Sequence, residues 1–257
     1  MKTIVCIPTY NEKANIEDLI SSIRLEMGGV PLDVLVVDSA SPDGTAEKVL
    51  ELQAKDSSIH LIRQPAKLGL GRAYLEGMEW VLARPYDCLI TMDADFSHHP
   101  RYLLKMIRYI ADYDLVIGSR YVRGGELQNW PLHRKFLSRF ANGYAKVLTG
   151  MPFCDLTSGF HCFRTVLLRK ILNNSIRTEG YAFLVELKFL AVLRGARCVE
   201  IPIVFSDRTR GRSKISHRVI YESMCYVGSL LFQRGRIRSA LRGAAQASGE
   251  GQGPVLV

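Results

Sequence analysis

Residues 90–100 read ITMDADFSHHP, an apolar run that ends in two aspartates, Asp93 and Asp95, with only Ala94 between them. Carboxylates this close repel one another unless a cation lies between them or water screens them. Two readings stand at this point. The pair is either a polar turn that caps a helix beginning near Pro100, or a site for a hard cation.

Three other apolar runs end in comparable chemistry. TIVCIP at 3–8 leads into Thr9, Tyr10, Asn11 and Glu12. DVLVVD at 33–38 ends on Asp38 and is followed by SASPDGT, whose Pro-Asp-Gly forms a turn. DLVIGS at 114–119 ends at Ser119 and Arg120. Taken singly, each is a turn former, a helix cap or a solvated end. Taken together, an aromatic ring with carboxylates suits a base and ribose, an acid pair suits a divalent cation, and an arginine suits phosphate.

The elements that must position these residues are legible in the first half of the chain. Strands are expected at 3–8, 33–38, 59–64, 88–93 and 114–119, with helical periodicity at 14–27, 45–55, 71–83 and 100–111. Strands that are apolar throughout and joined by helices imply a parallel sheet covered on both faces. Ligands of such sheets bind beyond the carboxyl ends of the strands, and all four polar clusters would lie along that rim. After residue 120 the pattern shifts to longer helices, with CVEIPIVF at 198–205 expected as one late strand.

Composition narrows the class. The 257 residues are 47% hydrophobic and 23% charged, which fits a globular protein. No apolar run reaches membrane-spanning length, and the opening MKTIVCIP is better taken as a first strand than as a secretory signal. Cysteines 6, 88, 154, 162, 198 and 225 show no metal spacing and are expected to be reduced thiols in a cytoplasmic protein. The net charge of +9 is concentrated late: residues 208–242 carry nine Lys or Arg against Glu222 alone. That block should face something anionic. A dinucleotide fingerprint fails, because GLGRAY has Tyr74 where the last glycine belongs, and no Walker A sequence is present.

The motifs PTYNE (8–12), VVDSASPDGT (36–45), LGLGRAY (68–74), MDADFSHHP (92–100) and GSRY (118–121) resemble the family-2 glycosyltransferases. DLTSGF (155–160), GYAF (180–183) and DRTRGRSK (207–214) continue the resemblance, which is strongest to the branch acting on dolichyl and polyprenyl phosphates. The resemblance implies an α/β GT-A fold, a Rossmann-like, mostly parallel sheet flanked by helices. It also implies a nucleotide-diphosphate sugar donor and inverting transfer to a lipid monophosphate. Asp93 and Asp95 match the family's D-x-D pair, which binds Mg²⁺ or Mn²⁺, with Ser97 as a weak third ligand. Past a strand end the alternation of faces lapses, so carboxylates two apart can converge on one ion. Pro8, Tyr10, Glu12 and Asp38 match the nucleotide pocket, and Arg208 and Lys214 match a basic loop closing over the diphosphate. Arg120, Arg134 and Ser138 match the acceptor-phosphate positions, and Asp155 positions acceptor or sugar or serves the fold.

The resemblance implies a catalytic domain at 1–214, while the residues beyond it read from their own pattern as a basic amphipathic helical segment at 215–242 and a flexible tail at 243–257. The second of these carries Val219, Ile220, Met224, Val227, Leu230 and Leu231 on one stripe, followed by Arg234, Arg236, Arg238 and Arg242. It suits either core packing or the cytoplasmic face of a membrane, directly or through a membrane-anchored partner. It lacks the aromatic interleaving of a nucleic-acid binder. Departures from the family pattern fall at Ser39, His161 and Leu184, and His98 and His99 are read as turn residues. The implied donor is GDP-mannose. A UDP-glucose or UDP-N-acetylhexosamine donor stays open, as does a regulatory module that binds a nucleotide sugar without turning it over.

Overall fold

In the computed structural model, the described residues are 1–172, 176, 180–207, 224–233, 235, 236 and 239. The first 119 residues alternate strand and helix. They form β1 (Thr3–Thr9), α1 (Lys13–Met27), β2 (Asp33–Asp38), α2 (Thr45–Lys55), β3 (Ile59–Arg63), α3 (Leu70–Leu82), β4 (Cys88–Thr91), α4 (Leu103–Tyr109) and β5 (Leu115–Ser119). The later elements are β6 (Glu126–Gln128), α5 (Leu132–Thr149), β7 (His161–Arg164), α6 (Thr165–Leu172), α7 (Gly180–Leu193), β8 (Cys198–Pro202) and β9 (Val204–Ser206).

Seven strands form one sheet in the order β3-β2-β1-β4-β7-β5-β8. All neighbours are parallel except β7, which runs antiparallel between β4 and β5. Every residue of β1 is buried, because helices cover both faces. Ile4 and Cys6 pack among Ala73, Met78, Leu168, Phe183 and Leu187 of α3, α6 and α7. Val5 and Ile7 face the opposite way, among Ile16, Leu19, Ile23 and Met106 of α1 and α4. Gly77 lets α3 approach this closely: a Cβ there would lie 2.5 Å from the Cys6 sulfur. The sheet's carboxyl edge thereby brings the ends of β2, β1 and β4 side by side, with Thr9 opposite Asp38 and Cys6 opposite Thr91.

The second half differs from the expectation. The run at 198–205 is two strands, since β8 continues the main sheet beside β5 while β9 pairs with β6 in a separate two-stranded sheet. The chain turns between them at Ile203, whose N–H donates to the Ser119 carbonyl. β6 and β7 were not expected. Strand β4 stops at Thr91, so Met92 to Asp95 already lie beyond the strand. The six thiols are free. Among the described residues no helix is long and apolar enough to cross a membrane. The tail expected at 243–257, and most of the segment expected at 215–242, lie outside the described residues.

Candidate active site

The acid pair occupies a tight turn between β4 and Pro100. Asp95 Oδ1 accepts from the Ser97 backbone N–H at 3.1 Å and from its hydroxyl at 2.5 Å. Phe96 takes a left-handed backbone conformation, φ 61°, to close this turn. The Asp93 backbone N–H donates to His98 Nδ1 at 3.1 Å, which puts the imidazole proton on Nε2. Burial lowers the His98 pKa below its ordinary value and outweighs the opposing pull of Asp93 and Asp95, so the ring is a neutral strut. His99 Nδ1 accepts from the Arg101 N–H and caps the 3-10 turn at Pro100–Tyr102. Both histidines therefore serve the turn.

Above this turn the Tyr74 hydroxyl of α3 donates to Asp93 Oδ1 at 3.1 Å. Burial and the neighbouring Asp93 hold the phenol well above its ordinary pKa, so it remains a donor. The Asp93 side chain is 35% exposed, open to a ligand from the rim. Asp93 and Asp95 could together supply two hard oxygen ligands. Among the described residues no cluster of three His, Cys, Asp or Glu side chains could hold a metal by itself. That fits Mg²⁺ or Mn²⁺ held by one or two carboxylates, with phosphate oxygens and water completing the shell. Ser97 directs its hydroxyl proton at Asp95 and so orients that carboxylate.

The ends of β1 and β2 form the next stretch of the rim. Asp38 accepts from the hydroxyls of Thr9 (2.9 Å) and Ser41 (2.5 Å) and from the Ser41 N–H. Glu12 accepts from the Asn15 amide at 2.8 Å, and its backbone N–H donates to the Thr45 hydroxyl. The Lys67 ammonium lies 4.0 Å above the Tyr10 ring, while Pro8 is buried in β1. Ser39, where the family commonly has a second acid, donates to Gln64, which in turn donates to Glu76. Arg208 and Lys214 lie outside the described residues.

Beyond β5, Arg120 is turned inward. It donates to Asp155 from Nε at 2.7 Å, from Nη2 at 2.6 Å and from its backbone N–H at 3.0 Å. Arg120 is 7% exposed and Asp155 fully buried. Burial alone would raise the Asp155 pKa, but the Arg120 charge and hydrogen bonds prevail and hold it below the ordinary value. Tyr121 donates to the Ser138 hydroxyl at 2.7 Å, which ties the end of β5 to α5. One turn earlier on α5, Arg134 pairs with Asp207 at 2.8 Å and stacks over Trp130. Phe205 bridges the two halves, with His98 edge-on at 5.2 Å and the Arg120 guanidinium 5.2 Å from its ring. Tyr74 and the Arg120–Asp155 clamp are the features that the sequence reading did not anticipate. Both depend on contacts between residues distant in the chain.

An acid pair at the carboxyl edge of a mostly parallel α/β sheet, with a single antiparallel strand beside it, suits an enzyme that holds a cation against a ligand's phosphates. The sequence model of glycosyl transferase family 2 matches residues 4–173, and the chain belongs to that family. The chain is 41% identical over 228 residues to an undecaprenyl-phosphate mannosyltransferase of Micrococcus luteus, covering 88% of this chain and 93% of that one. It is 40% identical over 241 residues to a polyprenol monophosphomannose synthase of Mycolicibacterium smegmatis, covering 93% and 90%. Its fold resembles that of a mannosyltransferase of Pyrobaculum calidifontis solved with GDP-Man and Mn²⁺ (TM-score 0.55, 18% identity, 97% of this chain and 76% of that one). The fold is GT-A, and the protein is a glycosyltransferase.

Proposed function

We propose that this protein transfers a mannosyl group, with inversion, from GDP-mannose to the phosphate of a polyprenol or dolichol. The observation that carries this reading is Asp93, 35% exposed at the sheet edge beside the buried Asp95, in a family-2 chain 41% identical to an undecaprenyl-phosphate mannosyltransferase. In this reading residues 1–214 are the catalytic domain. Pro8, Tyr10, Glu12 and Asp38 hold the nucleotide. Asp93 and Asp95 hold Mg²⁺ or Mn²⁺ against the diphosphate, with Ser97 orienting Asp95, and Arg208 and Lys214 close over it. A bound cation there supplies charge to the departing diphosphate.

Arg134 and Ser138 receive the acceptor phosphate from α5, and Arg120 adds its charge from behind, braced by Asp155. A phosphate monoester is ionised near neutral pH, so attack on the anomeric carbon needs no strong general base. It needs alignment and relief of repulsion between two anions, and the arginines contribute to both. No protein nucleophile is required for inversion.

A lipid acceptor calls for a membrane surface, and α5 is built to meet one. Its outward stripe carries Leu132 (83% exposed), Phe136 (74%) and Val147 (65%). Lys135, Arg139 and Lys146 flank these residues on the helix, an arrangement that suits an interfacial helix on anionic lipid. This stripe supports work at a membrane surface, and the cytoplasmic face is the side we propose. The test is to incubate protein with polyprenyl phosphate and radiolabelled GDP-mannose or UDP-glucose, with Mn²⁺ or EDTA, and count label in the organic phase. Metal-dependent labelling from GDP-mannose supports the reading. Labelling from UDP-glucose alone, or from neither donor, refutes it.

A further inference from the structure

Beneath the loop that links the acid pair to Arg120 lies a lysine with no exposure to solvent. Lys188 stands in the apolar run FLVELKFLAVL of α7. Its ammonium donates to the carbonyls of Ser158 (2.9 Å), Leu156 (3.1 Å) and, one turn back, Leu184 (3.3 Å). Its three protons thus meet three acceptors, the condition under which a buried ammonium is tolerated. The charged and titratable groups around it are Asp155 from the loop, Glu200 from β8, Arg120 after β5 and His161 from β7. Burial lowers the Lys188 pKa to about 7, with Asp155 and Glu200 pulling it up and Arg120 pushing it further down. Burial and the Lys188 charge keep His161 neutral, well below its ordinary value.

Lys188 is one of several buried side chains that hold the backbone of this loop, and Thr91 donates to the Gly159 carbonyl at 2.7 Å. Glu200 accepts from the N–H groups of Cys154 (2.7 Å) and Asp155 (2.9 Å). Asn142 accepts from those of Leu156 (2.7 Å) and Thr157 (3.2 Å). The far side of the loop meets the site, because Asp155 and Thr157 both accept from Arg120. Gly159 lies against the acid pair, and a Cβ there would stand 3.9 Å from Asp93 Oδ1.

We propose that Lys188 is a positioning residue for the transfer reaction: by holding the carbonyls of Leu156 and Ser158 it fixes the loop that orients Arg120 and borders Asp93. It touches no substrate and acts through the loop. An apolar side chain could fill the space, but it would leave two loop carbonyls without a donor. The inference rests on the functional reading above for its reaction, though not for its geometry.

The test uses the full chain with Lys188→Met, which removes donor and charge, and Lys188→Gln, which keeps a donor. Initial rates are measured with GDP-mannose and polyprenyl phosphate varied separately, from about pH 6 to about pH 9. For K188M, kcat should fall roughly 10- to 100-fold and the acceptor KM should rise, since misplacement by about an ångström costs on that order. The donor KM should change less than about twofold, because the nucleotide end of the rim is untouched. The wild-type rate should decline above pH 7 as the ammonium empties, and K188M should lack that limb. A folded K188M with kcat and acceptor KM within about threefold of wild type, or with the same alkaline limb, overturns the proposal.

Should K188M fail to fold, the rate profile of K188Q decides, because a positioning lysine moves kcat and acceptor KM while a merely structural one moves only the melting temperature. A lysine whose folded pKa is lowered binds fewer protons folded than unfolded between that value and its ordinary 10.5. The wild type should therefore gain stability relative to K188Q as pH rises from about 7 to about 9. A K188Q that keeps the wild-type alkaline limb in its rate profile overturns the proposal. A wild type that moves no mannose under any condition refutes the functional reading instead, and the melting arm still tests Lys188.

Discussion

Replacing Asp155 with asparagine isolates the electrostatic part of the clamp on Arg120. The shape is nearly kept, but a fully buried carboxylate that accepts three hydrogen bonds from Arg120 loses its charge. The guanidinium, 7% exposed, is left without its counter-charge, and the new amide NH2 points at other donors. Removing one partner of a buried ion pair costs about 3–5 kcal/mol, because the remaining charge is desolvated and uncompensated. For a chain of this size each kcal/mol moves Tm by about 2–4 °C, so D155N should melt roughly 6–20 °C below wild type near neutral pH. The sign with pH follows from the lowered Asp155 pKa. Its stabilisation is full above the unfolded carboxylate value and is lost as pH falls through the folded one, so the gap between wild type and D155N should close in acid. Calorimetric melting from about pH 7 down to about pH 2 measures both effects, since the gap closes only below the ordinary carboxylate value of 3.8. A neutral-pH difference under about 2 °C, or a gap that stays constant into acid, would refute the claim that this pair is a net-favourable buried clamp.

Two smaller perturbations address the rim and the membrane face. Tyr74→Phe removes one hydrogen bond that orients Asp93 and is worth about 1 kcal/mol, so half-maximal activity should need more Mn²⁺, by up to about fivefold; an unchanged metal titration would remove Tyr74 from the site. Phe136→Glu replaces a 74% exposed ring on α5. Burying a phenylalanine is worth about 1.5–3 kcal/mol, so sedimentation with phosphatidylglycerol vesicles should weaken by roughly 10- to 100-fold, and unaltered sedimentation would place the lipid contact elsewhere.

The sheet through residue 119 was legible because its strands are short, apolar and β-branched, and the helices between them carry clean periodicity. The antiparallel β7, HCFR, was not, because four residues of mixed polarity carry no period and the strand exists by pairing with β4 and β5. The run at 198–205 looked continuous because apolar content says nothing about which sheet a strand joins. The acid pair was legible from residue type and spacing alone. Tyr74 counted as the residue that broke a dinucleotide fingerprint and as the end of the LGLGRAY motif, with no role of its own, yet its hydroxyl is what reaches Asp93. Lys188 reads in sequence as a basic interruption of an apolar helix, and only the loop above it gives its three protons a purpose. Arg120 and Asp155 were both singled out, while their pairing across 35 residues was not.

The proposed transfer is a single displacement at the carboxyl edge of the sheet, with the lipid phosphate as nucleophile and no covalent sugar–protein intermediate. Isolating the mannosyl lipid formed from GDP-α-mannose and reading the configuration at its anomeric carbon by NMR tests this most directly. A single displacement gives a β-linked mannosyl phosphate. An α-linked product, or none, would contradict it.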